Sequence, residues 1–503
     1  MSDPLQSIEP EAHVGDGVSP EELAHPESLA VRKSAAPAGG PGLWSPERRP
    51  LTIGIVLTIT LVAAEALAVT TAMPIVARDL GGLELYGLVF SAFLVGSLIG
   101  IVIAGSLIDR SGVVRPFLIG LTLFAVGLAL AGAAVSMPML IGARFIQGLG
   151  GGAIPPIAYV AIGRSLPEHL RPQMFATMST AWILPGIFGP AVAGVVAEAF
   201  NWRLIFFGLL PVLAVSGSLA YRGLRRLAHQ PADPSARSAG SRIRDGLIVA
   251  FGVALLTTGL ASPTPIVVIA LGAIGLALTV SGFVRLVPPG TLRAERGYPT
   301  AVLLRGLLTI AFFAVDAYVA LLLVEVRGWS AAAAGLALTG ATVSWTLGSW
   351  TQAHLSSRIS PERFVRIGFP VVAAGIAGLG LILIPAVPAW LCVPIFALAG
   401  FGMGLTYAQF ALIVLRDVPR ESQGTVTSGL TLSDALGTAL GTSVAAAFVS
   451  ASVRAGVGPA PGLAEAIAVG TVAGILGWLL APRLVPVARA ARGAAVEAAA
   501  RLR

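Results

Sequence analysis

Charge is scarce in this chain. Asp, Glu, Lys and Arg make up 12% of its 503 residues, where a soluble domain carries about one-quarter. That scarcity excludes an ordinary water-soluble surface. Cysteine is almost missing: Cys392 stands alone, which rules out an intramolecular disulfide and any CxxC metal site. No Walker sequence is present, so ATP is not the expected driver. Cofactor, metal and covalent-catalysis patterns are missing too, and no enzyme activity is expected. Arginine stands where lysine usually does, amid abundant alanine and glycine, as in chains from high-GC bacterial genomes. Residues 1–50 lack any apolar run and are rich in Pro, Gly, Ser and Glu. They read as a disordered cytoplasmic arm. With no basic segment leading into an apolar one, they do not read as a cleavable signal peptide.

Apolar residues fill the rest, and the chain is 55% hydrophobic. Its 60 glycines suit closely packed membrane helices, where small residues let backbones approach. A bilayer span needs about 20 mostly apolar residues. Fourteen segments qualify: 51–76, 86–107, 116–135, 138–162, 173–198, 204–221, 246–262, 265–287, 299–324, 333–354, 364–385, 390–415, 424–449 and 462–481. With the N-terminus in the cytoplasm, only Arg78, Arg203, Arg327 and Arg454 fall outside, and Arg144 and Arg305 fall within spans. All other basic residues face the cytoplasm, as the positive-inside rule requires. Dropping one span would destroy this bias, so both termini are expected inside. The net charge of +8 lies in short loops rather than on one face, which argues against nucleic acid.

The sequence also repeats. Shifting residues 148–193 by 252 positions lays Gly148, Gly150 and Gly152 on Gly400, Gly402 and Gly404, and Arg164, Pro167 and Gly189 on Arg416, Pro419 and Gly441. A shift of 251 lays Glu65 on Asp316. The pattern predicts a six-helix bundle over 51–222, a basic loop and two additional helices over 223–298, a second six-helix bundle over 299–481 and a cytoplasmic tail over 482–503. Parallel repeats of this kind place a substrate site at their interface, near the bilayer midplane.

Five motifs follow in order. "GSLIDRSGVVRP" carries Gly105, Asp109, Arg110 and Gly112; "LIGARFIQGLGGG" carries Arg144, Gln147 and Gly148; "PGIFGPAVAG" carries Gly186, Gly189, Pro190 and Gly194; "EALAVTTAMP" carries Glu65; and "NWRLIFF" follows at 201–207. On these motifs the chain resembles the major facilitator superfamily over about residues 51–481, and within it the fourteen-span drug:proton antiporters. The match departs in places: Pro185 and Ala193 replace expected glycines, Glu65 replaces the usual aspartate, and Arg115 alone remains of a basic pair. The resemblance implies an all-α major facilitator fold of fourteen spans. It also implies a gating loop at Asp109 and Arg110, coupling to protons at Arg144, and export specified by the Gly189–Pro190 motif.

The residues themselves suggest the chemistry. Glu65 lies alone among apolar residues, and a carboxylate at the bilayer centre costs about 2.5–3.5 kcal/mol. Burial favours its neutral form, so it can take up and release a proton as solvent access alternates; the plainer alternative is a protonated acid that only bridges helices. Asp316 is its repeat mate. Arg305 is eleven residues from Asp316, about 16 Å along a helix, so the two cannot pair. Arg144 cannot discharge itself and needs an acid, with Glu65 and Asp316 as candidates. Thr427, Thr431, Asp434 and Thr438 recur at helical spacing and form one polar stripe, lining a wet cavity or packing. Trp182 is opposite Asp434 by the repeat and is either a substrate contact or a core residue. Glycines 186, 189 and 194 with Pro190 should bend their helix and admit a close neighbour.

The expectation is a bacterial plasma-membrane carrier, functional as a monomer in membrane lipid, that exports a small amphipathic substrate against protons without a cofactor. Proton symport, lipid or glycolipid transport, and a transport-inactive sensor or scaffold stay open. Three costly intramembrane acids argue against a scaffold.

Overall fold

The computed structural model describes residues 42–81, 85–225 and 239–486. The expected arm over 1–41, the middle of the basic loop and the end of the tail lie outside these residues, as does the side chain of Pro190. Among the described residues all regular structure is helical. The helices α1 (Arg49–Leu80), α2 (Tyr86–Ser111), α3 (Val114–Gly132), α4 (Met137–Ser165), α5 (Arg171–Thr180), α6 (Ile183–Val196) and α7 (Arg203–Leu224) come first. Then come α8 (Ala239–Ala261), α9 (Pro265–Leu286), α10 (Tyr298–Asp316) and the single turn α11 (Val319–Leu321), which runs into a π-turn. The last are α12 (Ala331–Leu355), α13 (Pro361–Ile382), α14 (Cys392–Asp417), α15 (Gln423–Arg454) and α16 (Ala460–Leu480). Among the described residues twelve helices are long and apolar enough to cross a membrane, and α5–α6, bent by 46°, brings the number to 13. The 25-residue α12, rich in glycine, serine and threonine, is not among them.

Glycine fixes how the helices pack, because a missing Cβ lets backbones meet. Added Cβ atoms at Gly148 and Gly152 would overlap the Phe93 and Ser97 carbonyls of α2, and one at Gly150 would meet Gly120 and Phe124 of α3. In the second half, Gly400 and Gly404 abut the Ala341 and Trp345 carbonyls of α12, and Gly402 abuts Gly368 and Val372 of α13. The same glycine triad thus wedges α4 between α2 and α3, and α14 between α12 and α13.

The inserted helices α8 and α9 form a tight hairpin. A Cβ at Gly252 would lie 2.6 Å from the Thr279 nitrogen, and one at Gly275 would lie 2.5 Å from the Leu256 nitrogen. The hairpin lies against α2 and α15, one helix from each half. Its foot joins the C-terminal half through a clasp: Gly297 N donates to Arg483 O at 2.8 Å, and Arg483 Nη1 donates to Arg293 O at 3.1 Å.

Candidate functional site

Helices from the two copies of the sequence repeat meet at the end that carries Arg49 and Ser111. There the Asp109 carboxylate, buried at the end of α2, accepts hydrogen bonds from Gly424 N and Thr425 N, each at 2.7 Å. It caps the first turn of α15, where free N–H groups and the helix dipole favour an anion. Gly105 sits one turn earlier, where a Cβ would overlap the Ser428 side chain. Ser428 Oγ donates to Ile101 O at 2.5 Å, Arg164 Nη2 donates to Arg420 O at 2.8 Å, and Ser179 meets Ser349 at 2.9 Å. These bonds all lie within about three turns of the helix ends on that side. Gly112 ends α2 with φ 71°, a left-handed conformation that suits glycine. Arg110, next to Asp109 in the chain, has partners of its own. In the second copy of the motif, Ser357 and Arg358 are exposed.

Deeper in, Glu65 of α1 and Arg144 of α4 form a buried ion pair. Arg144 also donates to Gln147 Oε1 at 2.7 Å, and its guanidinium lies 4.4 Å from the centre of the Phe93 ring. Of the two partners expected for Arg144, the fold supplies Glu65. Glu65 Oε2, Arg144 Nε and Gln147 Nε2 are buried with no hydrogen-bond partner.

The repeat mate of Glu65 has a different setting. Asp316 ends α10, where the helix breaks before α11. It has no ion pair or side-chain hydrogen bond among the described residues, and its side chain is half-buried. The cause is one substitution across the repeat. Phe396 occupies the place of Arg144 and stacks on Phe312 with ring centres 5.3 Å apart, so no cation stands beside Asp316.

The third acid is paired. Asp434 Oδ1 accepts from Arg305 Nε at 2.8 Å and Oδ2 from the Tyr407 hydroxyl at 3.0 Å. Sequence reasoning recognised that Arg305 is intramembrane but assigned it no acid. The signal was there, since a buried guanidinium needs a carboxylate and Asp434 was available.

Two expectations are corrected. The polar stripe is not wet along its length: Thr427 and Thr431 are buried, Thr431 donates to the Thr427 carbonyl at 2.9 Å, and only Asp434 and Thr438 are part-exposed. The first turns of α15 are packed against α2, which leaves that part of the stripe no access to solvent. Close approach at the α6 glycines is also not found. A Cβ at Gly186, Gly189 or Gly194 would lie 3.9, 3.7 or 3.9 Å from its nearest neighbour, in ordinary contact. The helix bends there, between Gly189 and Val192, without a backbone pressed against it. Trp182 sits at the α5–α6 break, 46% exposed, and makes no ring or hydrogen-bond contact with the Asp434 network among the described residues.

Comparison with known proteins agrees with this architecture. Residues 51–442 match the Major Facilitator Superfamily. Multidrug resistance protein 3 of Bacillus subtilis (strain 168) is 26% identical over 389 residues, covering 75% of each chain. A probable multidrug-efflux transporter of Mycobacterium tuberculosis is 26% identical over 397 residues, covering 76% of this chain and 84% of that one. Among solved structures, a bacterial homologue of the iron transporter ferroportin in its outward-facing state aligns with TM-score 0.63 at 14% identity, covering 87% of this chain and 98% of that one. The human organic anion transporter MFSD10 aligns with TM-score 0.62 at 16% identity, covering 87% and 99%.

Proposed function

Because the chain belongs to the major facilitator superfamily, we propose that it exports small amphipathic molecules in exchange for protons, by alternating access of one central site. The reading places fourteen spans in a bacterial plasma membrane with both termini cytoplasmic, α12 and α5–α6 included. The end closed by Asp109 is then the cytoplasmic one, and the conformation described is outward-facing. Membrane lipid surrounds a carrier that works as a monomer, without nucleic acid or cofactor. The names of the multidrug relatives support export as the direction of transport.

One observation carries the proton coupling. Of the three intramembrane acids, Glu65 and Asp434 are each ion-paired with an arginine, while Asp316 has no counter-charge. A paired carboxylate can stay ionised through the cycle. An unpaired one in low dielectric must be neutral or meet a cation, so its charge depends on what it faces. Asp316 is therefore the acid that binds a proton from one side and yields it to the other. Substrate entry competes with or follows that exchange. A proton moving through ~100 mV carries about 2.3 kcal/mol, which sustains roughly a fifty-fold gradient of a neutral substrate.

The test is proton flux in proteoliposomes containing an entrapped pH dye, with a panel of lipophilic dyes as substrates. Substrate-dependent proton movement opposite in sense to dye export is expected from the wild type and is lost in Asp316→Asn. Full pH-driven export by Asp316→Asn would overturn the assignment. Proton movement in the same sense as the dye would mean symport, and none would favour a scaffold.

A further inference from the structure

Arg305 was part of no motif, yet it is the largest fully buried side chain. Its guanidinium reaches three other helices. Nε donates to Asp434 on α15 at 2.8 Å and Nη1 to the Tyr407 carbonyl on α14 at 2.5 Å, while Nη2 reaches the Tyr159 hydroxyl on α4, in the other half, at 3.3 Å. Its centre lies 3.1 Å from that of the Tyr407 ring. Close helix packing sets this geometry. Thr309 Oγ1 donates to the Asp434 carbonyl at 3.2 Å, and a Cβ at Gly437 would collide with Gly306 and Thr309. With α10 pressed onto α15 this way, the side chain of Arg305 has one direction to take. The repeat offers no equivalent, since the Asp434 position is Trp182 in the first copy.

We propose that Arg305 is a positioning residue that fixes the Asp434 carboxylate in place, as a polar anchor that takes no part in proton exchange. Asp434 is 21% exposed by its side chain, whereas Arg305 is 1% exposed, so the acid is the accessible member of the pair and the cation is closed off behind it. Tyr407 closes the second oxygen, and Tyr159 steadies the guanidinium from across the seam. The titratable groups facing Asp434 are Arg305 of α10, Tyr407 of α14 and, through Arg305, Tyr159 of α4. The other helices packed on α15 bring none near it. Asp109 of α2 is at the first turn of α15, α8 carries Arg242, Arg244 and Asp245 in its first two turns, and Glu465 of α16 is exposed. This inference rests on the transport reading for the purpose of the anchor, and on geometry alone for how it is held.

The experiment needs no substrate. Trp345 lies 5.2 Å from the Tyr407 ring, so its emission reports on the network. Purified wild type, Arg305→Met, Arg305→Lys and the Arg305→Met/Asp434→Asn double variant are titrated from about pH 8 to 5, with Trp345→Phe identifying the signal. Wild type and double variant are expected to give matching curves. Arg305→Met is expected to gain a transition that the double variant lacks. Arg305→Lys, which keeps the charge without the planar fork, gives a weaker transition and serves if Arg305→Met does not fold. A transition in the wild type that the double variant loses overturns the proposal, as does an Arg305 variant indistinguishable from wild type. Because transport is not measured, failure here leaves the role of Asp316 standing, and loss of export in Asp316→Asn leaves Arg305 standing.

Discussion

Glu65, Asp316 and Asp434 share the apolar interior with Arg144 and Arg305, and two of the three acids are paired. Removing the Glu65 charge leaves Arg144 buried without a counter-charge, with only Gln147 and the Phe93 ring beside it, so Glu65→Gln should cost on the order of 3–5 kcal/mol. Asp316→Asn removes a group with no partner and should stay within about 1 kcal/mol of wild type. Thermal unfolding in one detergent compares the two. Sequence could locate these acids, since an acid in an apolar run is visible at once. It narrowed the partner of Arg144 to Glu65 or Asp316 but could not choose between them, and it gave Arg305 none, because both pairs join distant helices. Outside the spans, the Trp202 indole and the Arg203 guanidinium hydrogen-bond to Asp79 and hold its carboxyl below the usual carboxylate range. The sign follows: its stabilisation is complete above the ordinary value and is lost as pH falls through the lowered one. Asp79→Asn should therefore melt below wild type at neutral pH, with the gap closing only below about pH 4.

At the scale of helices, closeness of backbones decides which glycines matter. A methyl at Gly152 meets the Ser97 carbonyl, while one at Gly186 finds the Thr342 methyl at 3.9 Å. Gly152→Ala is expected to cost about 1–3 kcal/mol and Gly186→Ala far less, as read by unfolding midpoints. Spacing showed the repeated glycine triad, but it could not tell a glycine needed for contact from one that merely permits a bend. The α8–α9 hairpin adds a mechanical prediction. Its clasp through Arg483 ties it to the C-terminal half, so its contact with α2 must yield when the halves rock. A Cβ at Gly246 would lie 3.4 Å from that of Val102, close to disulfide geometry. In a Cys392→Ser background, oxidising a Gly246→Cys/Val102→Cys pair should stop export until a reductant is added. A Val287→Cys/Gly429→Cys pair, joining hairpin to C-terminal half, should leave export intact. Equal inhibition by both pairs would show that the hairpin does not travel with the C-terminal half.

Across the whole molecule, the halves share their glycine framework but not their charges. Arg144 has Phe396 as its counterpart, Asp434 has Trp182, and Asp109 has Ser357, so the two end states of a cycle cannot be mirror images. Periodicity and basic loops revealed the helices and their pairing into copies. The motif marked Asp109 as a gating residue, but its partners were not legible, because Asp109 and Gly424 meet only in three dimensions. Gly105→Val should wedge that end apart. The expected readout is faster labelling of a Thr425→Cys probe by a membrane-impermeant maleimide, in the same Cys392→Ser background. One consequence concerns time rather than geometry. Because the Asp109 side chain, from the other copy of the repeat, satisfies the amides of Gly424 and Thr425, those two hydrogens are shielded only while that end is shut. Their deuterium uptake then becomes an internal clock that counts each opening, whatever the cargo.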